Sequence, residues 1–138
     1  MADKTLKDVS KIMKDIDLCM LTTTTAHGAL GSRPMSNNGQ VEYDGNSYFF
    51  TWKGSRMIKD IEKDNKVSLT FQGKKDIFIS VSGKADITTD RAEMEQHWIK
   101  ELEQWFEKGL DTPGVTMIKV KADRIKYWQE MEEGDVKL

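Results

Sequence analysis

Apolar residues recur at three- and four-residue steps from the start of the chain: Leu6, Val9, Ile12, Met13 and Ile16, with Lys7, Asp8, Lys11 and Lys14 opposite. That period predicts an amphipathic helix, opened by a capping box of Thr5 and Asp8. From Leu18 the pattern changes. Leu18 to Ala26 carries four consecutive threonines, a β-branched run that suits a strand. His27-Gly28 turns the chain into a second strand, Ala29 to Ser36. Pro34 lies inside it, which predicts an edge, a bulge or a place where a ligand replaces a backbone partner. Asp44-Gly45 is a hairpin signal between a short strand near Gln40–Tyr43 and the apolar strand Ser47–Trp52. Ser55 opens a short helix to about Lys63, burying Met57, Ile58 and Ile61.

Two alternating strands follow, joined by Gly73-Lys74-Lys75. Val67, Leu69 and Phe71 mark the first; Ile77, Ile79, Val81, Ala85 and Ile87 mark the second. A longer helix is predicted from Asp90 to Gly109, with Met94, Trp98, Ile99, Leu102, Trp105 and Phe106 at helical steps. The last strand runs from Val115 to about Trp128, with a phase shift between Ala122 and Ile125 that predicts a bend or bulge. Six or seven antiparallel strands and three helices point to a mainly β meander or small barrel.

Composition removes several classes. The 138 residues carry a net charge of −2, with 38% hydrophobic and 32% charged residues. This describes a globular chain long enough for one domain over residues 1–138. No apolar run approaches a membrane span, and residues 1–16 are too charged for a signal peptide, so no membrane association and a cytoplasmic location are expected. The near-neutral charge argues against a nucleic-acid partner. One cysteine, Cys19, makes neither a disulfide nor a zinc site, and His27 and His97 lack neighbouring ligand residues, so no metal is expected.

Familiar catalytic motifs are absent. What stands out is a polar and basic set at strand ends. Arg33, Pro34 and Met35 lie on the second strand, Phe50 and Thr51 near the end of the strand before the short helix, and Ser55 and Arg56 at its start. A helix N-terminus presents free N–H groups, and an arginine fork binds two phosphate oxygens together, so these residues can form an anion cradle. The plain alternative is that both arginines are solvated charges and Ser55 only a cap.

The order of a Thr-rich strand, "SRPM", "YFFTWKGSR", alternating strands and "HWIKELEQWFEKGLDTPG" resembles the pyridoxamine 5′-phosphate oxidase-like flavoproteins, most of all the bacterial general stress protein branch. The likeness covers about residues 5–128. It implies a split β-barrel forming a homodimer, with FMN held in a groove at the subunit interface. By resemblance, Arg33 reaches the flavin phosphate, and Pro34 and Met35 lie along the ring. Phe50 and Thr51 contact the ring from a strand end, while Ser55 and Arg56 bind the phosphate. Gln72 matches a residue reaching the partner's flavin, and Trp105 and Phe106 match an aromatic pair near the groove. The family commonly has lysine where this chain has Met57, which implies weaker FMN binding.

The resemblance implies an FMN-dependent oxidoreductase acting on a small molecule, with an electron donor such as NAD(P)H. No side chain is required as general acid or base, His27 and Tyr48 being helpers at most. The alternatives are a non-catalytic flavin-binding module and a structural dimer with a degenerate site. True pyridoxamine phosphate oxidase activity is not expected, because the acidic run Glu130–Glu133 would repel a phosphorylated substrate.

Overall fold

The capping box that opens the chain is complete in the computed structural model, which describes residues 4–37 and 42–138. The Thr5 hydroxyl accepts from the Asp8 amide at 3.2 Å, and Asp8 accepts from the Thr5 amide at 2.9 Å. It starts α1 (Leu6–Met13), which ends one turn earlier than the apolar spacing suggests. Ile16, in the turn beyond, is still buried in the core.

Seven strands form one antiparallel sheet: β1 (Leu18–Thr24), β2 (Leu30–Ser36), β3 (Asn46–Trp52), β4 (Lys66–Gln72), β5 (Ile77–Thr88), β6 (Val115–Gln129) and β7 (Glu132–Val136). Their order is β2-β1-β4-β5-β6-β3, with β7 also paired to β6. Two further helices, α2 (Arg56–Lys63) and α3 (Arg91–His97), flank the sheet. This is the split-barrel arrangement of a mainly β chain. Among the described residues, no helix is long and apolar enough to cross a membrane.

β2 and β3 end the strand order and do not pair with each other. Pro34 is therefore on an edge strand, where its missing N–H leaves no gap inside the ladder. β3 is buried on both faces: Phe49 belongs to the main core with Leu21, Leu69, Ile79 and Ile118. Its neighbour Phe50 joins a second cluster with Met94, Leu102, Phe106, Val115 and Met117. Two-sided burial explains why this strand reads as an apolar run rather than an alternation.

Two expectations change, and one strand, β7, is additional to those expected. Of the short strand expected near Gln40–Tyr43, residues 40 and 41 lie outside the described residues, and Glu42 and Tyr43 are not in a strand. Asp44-Gly45 instead leads into β3, the Asp44 carboxylate accepting from the Asn46 amide and the Gly45 carbonyl from Ala122. The helix expected from Asp90 to Gly109 breaks after His97: Trp98 and Ile99 are extended, and two 3₁₀ turns follow at Lys100–Gln104 and Gly109–Asp111. The break lets the Trp98 ring meet Phe50 edge-on at 4.9 Å and Phe106 at 5.7 Å, packing that outweighs helix continuity. β7 carries no apolar alternation to announce it. Glu130 turns the chain at a φ of 57°, and β7 pairs back along Ile125–Gln129.

The phase shift expected in the last strand is a bulge. Ser82 pairs with Arg124 and Gly83 with Ala122, so Asp123 is the extra residue on β6. Gly83 makes this approach tolerable, because a Cβ there would run into the Lys121 carbonyl oxygen and stand 2.9 Å from its carbon. Gly83→Ala is expected to cost about 1–3 kcal/mol of stability through overpacking, measured by urea unfolding.

Candidate functional site

The two edge strands, which do not pair with each other, both line a cavity of about 360 Å³. Pro34, Met35 and Ser36 of β2, with Leu18 of β1, form one wall, and Tyr48 to Trp52 of β3 form the floor. The segment from His97 to Phe106 supplies the far wall through His97, Ile99, Leu102, Trp105 and Phe106. Trp105 is 54% exposed at the mouth and Phe106 is buried behind it. The Trp52 ring tilts over Phe106 at 4.7 Å. Of the residues singled out in the sequence, Pro34, Met35, Phe50, Thr51, Trp105 and Phe106 share this cavity.

Arg33, Ser55, Arg56 and Gln72 do not line it. Side chains alternate along β2, so Arg33 turns to the face opposite Pro34. There its Nη1 donates to the Leu21 carbonyl at 3.3 Å and to the Thr23 hydroxyl at 2.8 Å, and Nη2 lies 3.7 Å from Asp60 of α2. The buried Thr23 hydroxyl donates onward to the same Asp60 carboxylate at 3.0 Å. Arg33 is thus tied into the barrel wall and to α2.

Ser55 caps α2, accepting from the Ile58 amide at 3.3 Å, and its own amide donates to the Trp52 carbonyl at 3.1 Å. The helix start therefore follows directly from the end of the cavity floor. Arg56 is exposed, one turn before Asp60 on the same helix face. Arg33, Asp60 and Arg56 consequently gather along one side of α2. Met57 is 6% exposed and sits in the main core. Its side chain is committed to packing rather than to an anion. Gln72 is exposed at the end of β4, its backbone paired with exposed Phe78 on β5.

Sequence reasoning set His97 aside and gave Tyr48 no defined role, yet both line the cavity. Their rings are stacked, 3.4 Å between centroids and 9° from parallel. Burial lowers the His97 pKa from its ordinary 6.5; Lys119 on β6 adds to this, while Glu93 on α3 and Asp44 before β3 oppose it. The Tyr48 hydroxyl is pushed up by burial, then by Asp44 and Glu93. No sequence signal marks the pair, because it joins residues from β3 and the end of α3. Elsewhere, burial pushes the Cys19 thiol up to about 12, consistent with a packing role.

A histidine with a lowered folded-state pKa is the less protonated form, so the unfolded chain binds more protons just below pH 6.5. Stability is expected to fall as pH drops from 6.5 through the folded value of His97. Urea unfolding at pH 7 and pH 5 should show a smaller loss in His97→Gln than in the natural chain.

The family model for pyridoxamine 5′-phosphate oxidase-like proteins matches residues 4–138. Protein bli-3 of Neurospora crassa is 29% identical over 135 residues, 91% of this chain, which spans 65% of that protein's length. General stress protein 26 of Bacillus subtilis is 26% identical over 95 residues, 66% of this chain and 67% of that one. A solved structure from Clostridium acetobutylicum, of a protein related to general stress protein 26, aligns with a TM-score of 0.85 at 23% identity, covering 100% of this chain and 97% of that one. A heme-binding protein from Mycobacterium smegmatis shares the fold at a TM-score of 0.77 and 9% identity, covering 98% of this chain and 58% of that one. With the family match running through all seven strands and the whole cavity, the chain belongs to the pyridoxamine 5′-phosphate oxidase-like family.

Proposed function

We propose that this protein binds FMN and acts as a flavin-dependent oxidoreductase on a small molecule. The observation that carries this reading is the contrast between the cavity and its end. Among the described residues the lining holds no Asp, Glu, Lys or Arg, while the floor strand leads through a short turn to a helix N-terminus with Ser55 and Arg56. An uncharged slot suits a flat aromatic ring, and a capped helix start beside arginine suits a phosphate. The family commonly binds flavin.

The residues present fit that group. Pro34, Met35, Phe50 and Thr51 would hold the ring, with Trp105 and Phe106 as the outer wall. Ser55, Arg56 and Arg33 would hold the phosphate. The cofactor, when bound, supplies the hydride or electron chemistry, and reduced nicotinamide is the natural donor to try. The chain's part is to orient the ring, exclude water and neutralise the phosphate. Asp60 limits the last task, since it already engages Arg33.

A homodimer belongs to the same reading. Met20, Phe78 and Trp128 are exposed apolar side chains of the sheet, and Phe78 pairs directly with Trp128. A second copy covering them would remove apolar surface that a monomer leaves in water. Gln72 lies beside Phe78 and would reach across that contact toward the partner's flavin. Haem is the competing occupant, because His97 is in the cavity and an imidazole can ligate iron.

FMN titration of desalted protein, followed by flavin fluorescence and by size in solution, tests the reading. One flavin per subunit of a dimer is expected; a Soret band after haemin addition with no flavin binding would replace FMN by haem. Arg56→Ala is expected to weaken FMN by about 1.5–3 kcal/mol, the worth of a charge-assisted hydrogen bond, with riboflavin affinity and melting temperature unchanged. Arg33→Ala should lower both FMN affinity and melting temperature, because that guanidinium also ties β1, β2 and α2 together. Asp60→Ala should lower the melting temperature alone or raise FMN affinity; weaker FMN binding would contradict its placement as a competitor of the phosphate.

A further inference from the structure

The residues lining the cavity include two that titrate, Tyr48 and His97. The lining contributes no carboxylate, ammonium, guanidinium or thiol among the described residues. Any proton that a bound ligand exchanges with a side chain near neutral pH therefore has one partner, since a tyrosine hydroxyl holds its proton there. His97 is also placed for the task. Its flat face lies against Tyr48 at 3.4 Å, so the ring is held in one orientation. Stacking uses the face and leaves the edge, which carries both nitrogens. The side chain is half-buried, within reach of water.

The charged groups around it set its working state. Glu93 one turn back on α3, Asp44 ahead of β3 and Lys119 on β6 face it, with Tyr48 of β3 as the stacking partner. Burial outweighs the two carboxylates, so the neutral imidazole is favoured. Asp86 is the cross-strand neighbour of Lys119 on β5.

We infer that His97 is the proton-exchanging group of the cavity, in direct contact with the ligand and acting as the base that accepts a proton from it. In the exchange a bond forms between hydrogen and an imidazole nitrogen as a ring N–H or an O–H bond of the ligand breaks, its electron pair staying on the ligand. The imidazolium then passes the proton to water. Tyr48 is the positioning residue that holds the imidazole edge toward the cavity. The ligand class this selects is a small ring system with an ionisable N–H or O–H. The inference rests on the flavin reading for its probe, though not on the phosphate cradle.

Proton NMR of the whole protein tests it. The chain has two histidines, His27 and His97, so His97→Gln, or His27→Gln at the exposed turn if the first misfolds, assigns both imidazole signals. The natural chain is titrated from pH 5 to 8 alone, with FMN, and with lumiflavin, which carries the ring without the phosphate. Binding is followed separately by flavin fluorescence. A bound flavin is expected to move the His97 midpoint by half a unit or more, about threefold in proton affinity, while His27 stays in place. Flavin bound with the His97 midpoint unmoved overturns the inference and leaves the proposed function standing. Lumiflavin bound with a shift, but FMN no tighter, supports the inference and removes the phosphate cradle. If neither flavin binds, both readings fall.

Discussion

The arrangement depends on a sheet that curls until its two ends face each other and then does not close. β2 and β3 terminate the strand order and share no ladder, yet both line one cavity. Had they paired at the usual strand spacing of about 4.8 Å, no slot would remain between them. Leaving the seam open exposes two strand edges, which proteins normally cover or blunt. Here Pro34 blunts one edge. The segment after α3 covers part of the other, packing Trp98, Leu102 and Phe106 against Phe50.

The open seam also separates two kinds of chemistry. Inside it the surface is mostly apolar and, among the described residues, carries no carboxylate, ammonium or guanidinium, while Arg33 and Asp60 form an ion pair between the back of β2 and α2. In the proposed reading Arg33 would serve both structure and site. It ties Leu21, Thr23 and Asp60 together, so its orientation is set before any ligand arrives. The same bonds occupy much of its donor capacity. A phosphate placed there would share the guanidinium with a carboxylate, and the buried Met57 offers no compensating cation. Preorganisation and affinity therefore pull in opposite directions at this residue.

Much of the barrel was legible because its strands bury one face. Alternation located β4, β5 and β6, and its slip near Ala122 located the bulge, since one extra residue must reverse every side chain beyond it. β7 was illegible for the opposite reason: Glu132, Glu133 and Asp135 are exposed, and the strand is held by backbone pairing and by Trp128 donating to Glu133 at 2.9 Å. The broken helix was misread because Trp98 and Ile99 keep helical spacing while their packing demands extended backbone. The cavity walls on β2 and β3 were legible through Pro34 and the aromatic strand end. His97 was not, because its meaning lies in a stack with a residue about fifty positions away.

The segment from Trp98 to Phe106 has a bearing on time as well as on shape. A regular α-helix would be fastened by a bond at nearly every residue, but this wall consists of two extended residues and a short 3₁₀ turn. Few backbone bonds need to break for it to swing from β3, so its opening should be cheaper than unfolding the sheet behind it. The wall that shields a bound ring would thus also set how long the ring stays. Residence time in the cavity would follow the local strength of the aromatic contacts among Trp98, Phe106 and Phe50 rather than the stability of the barrel.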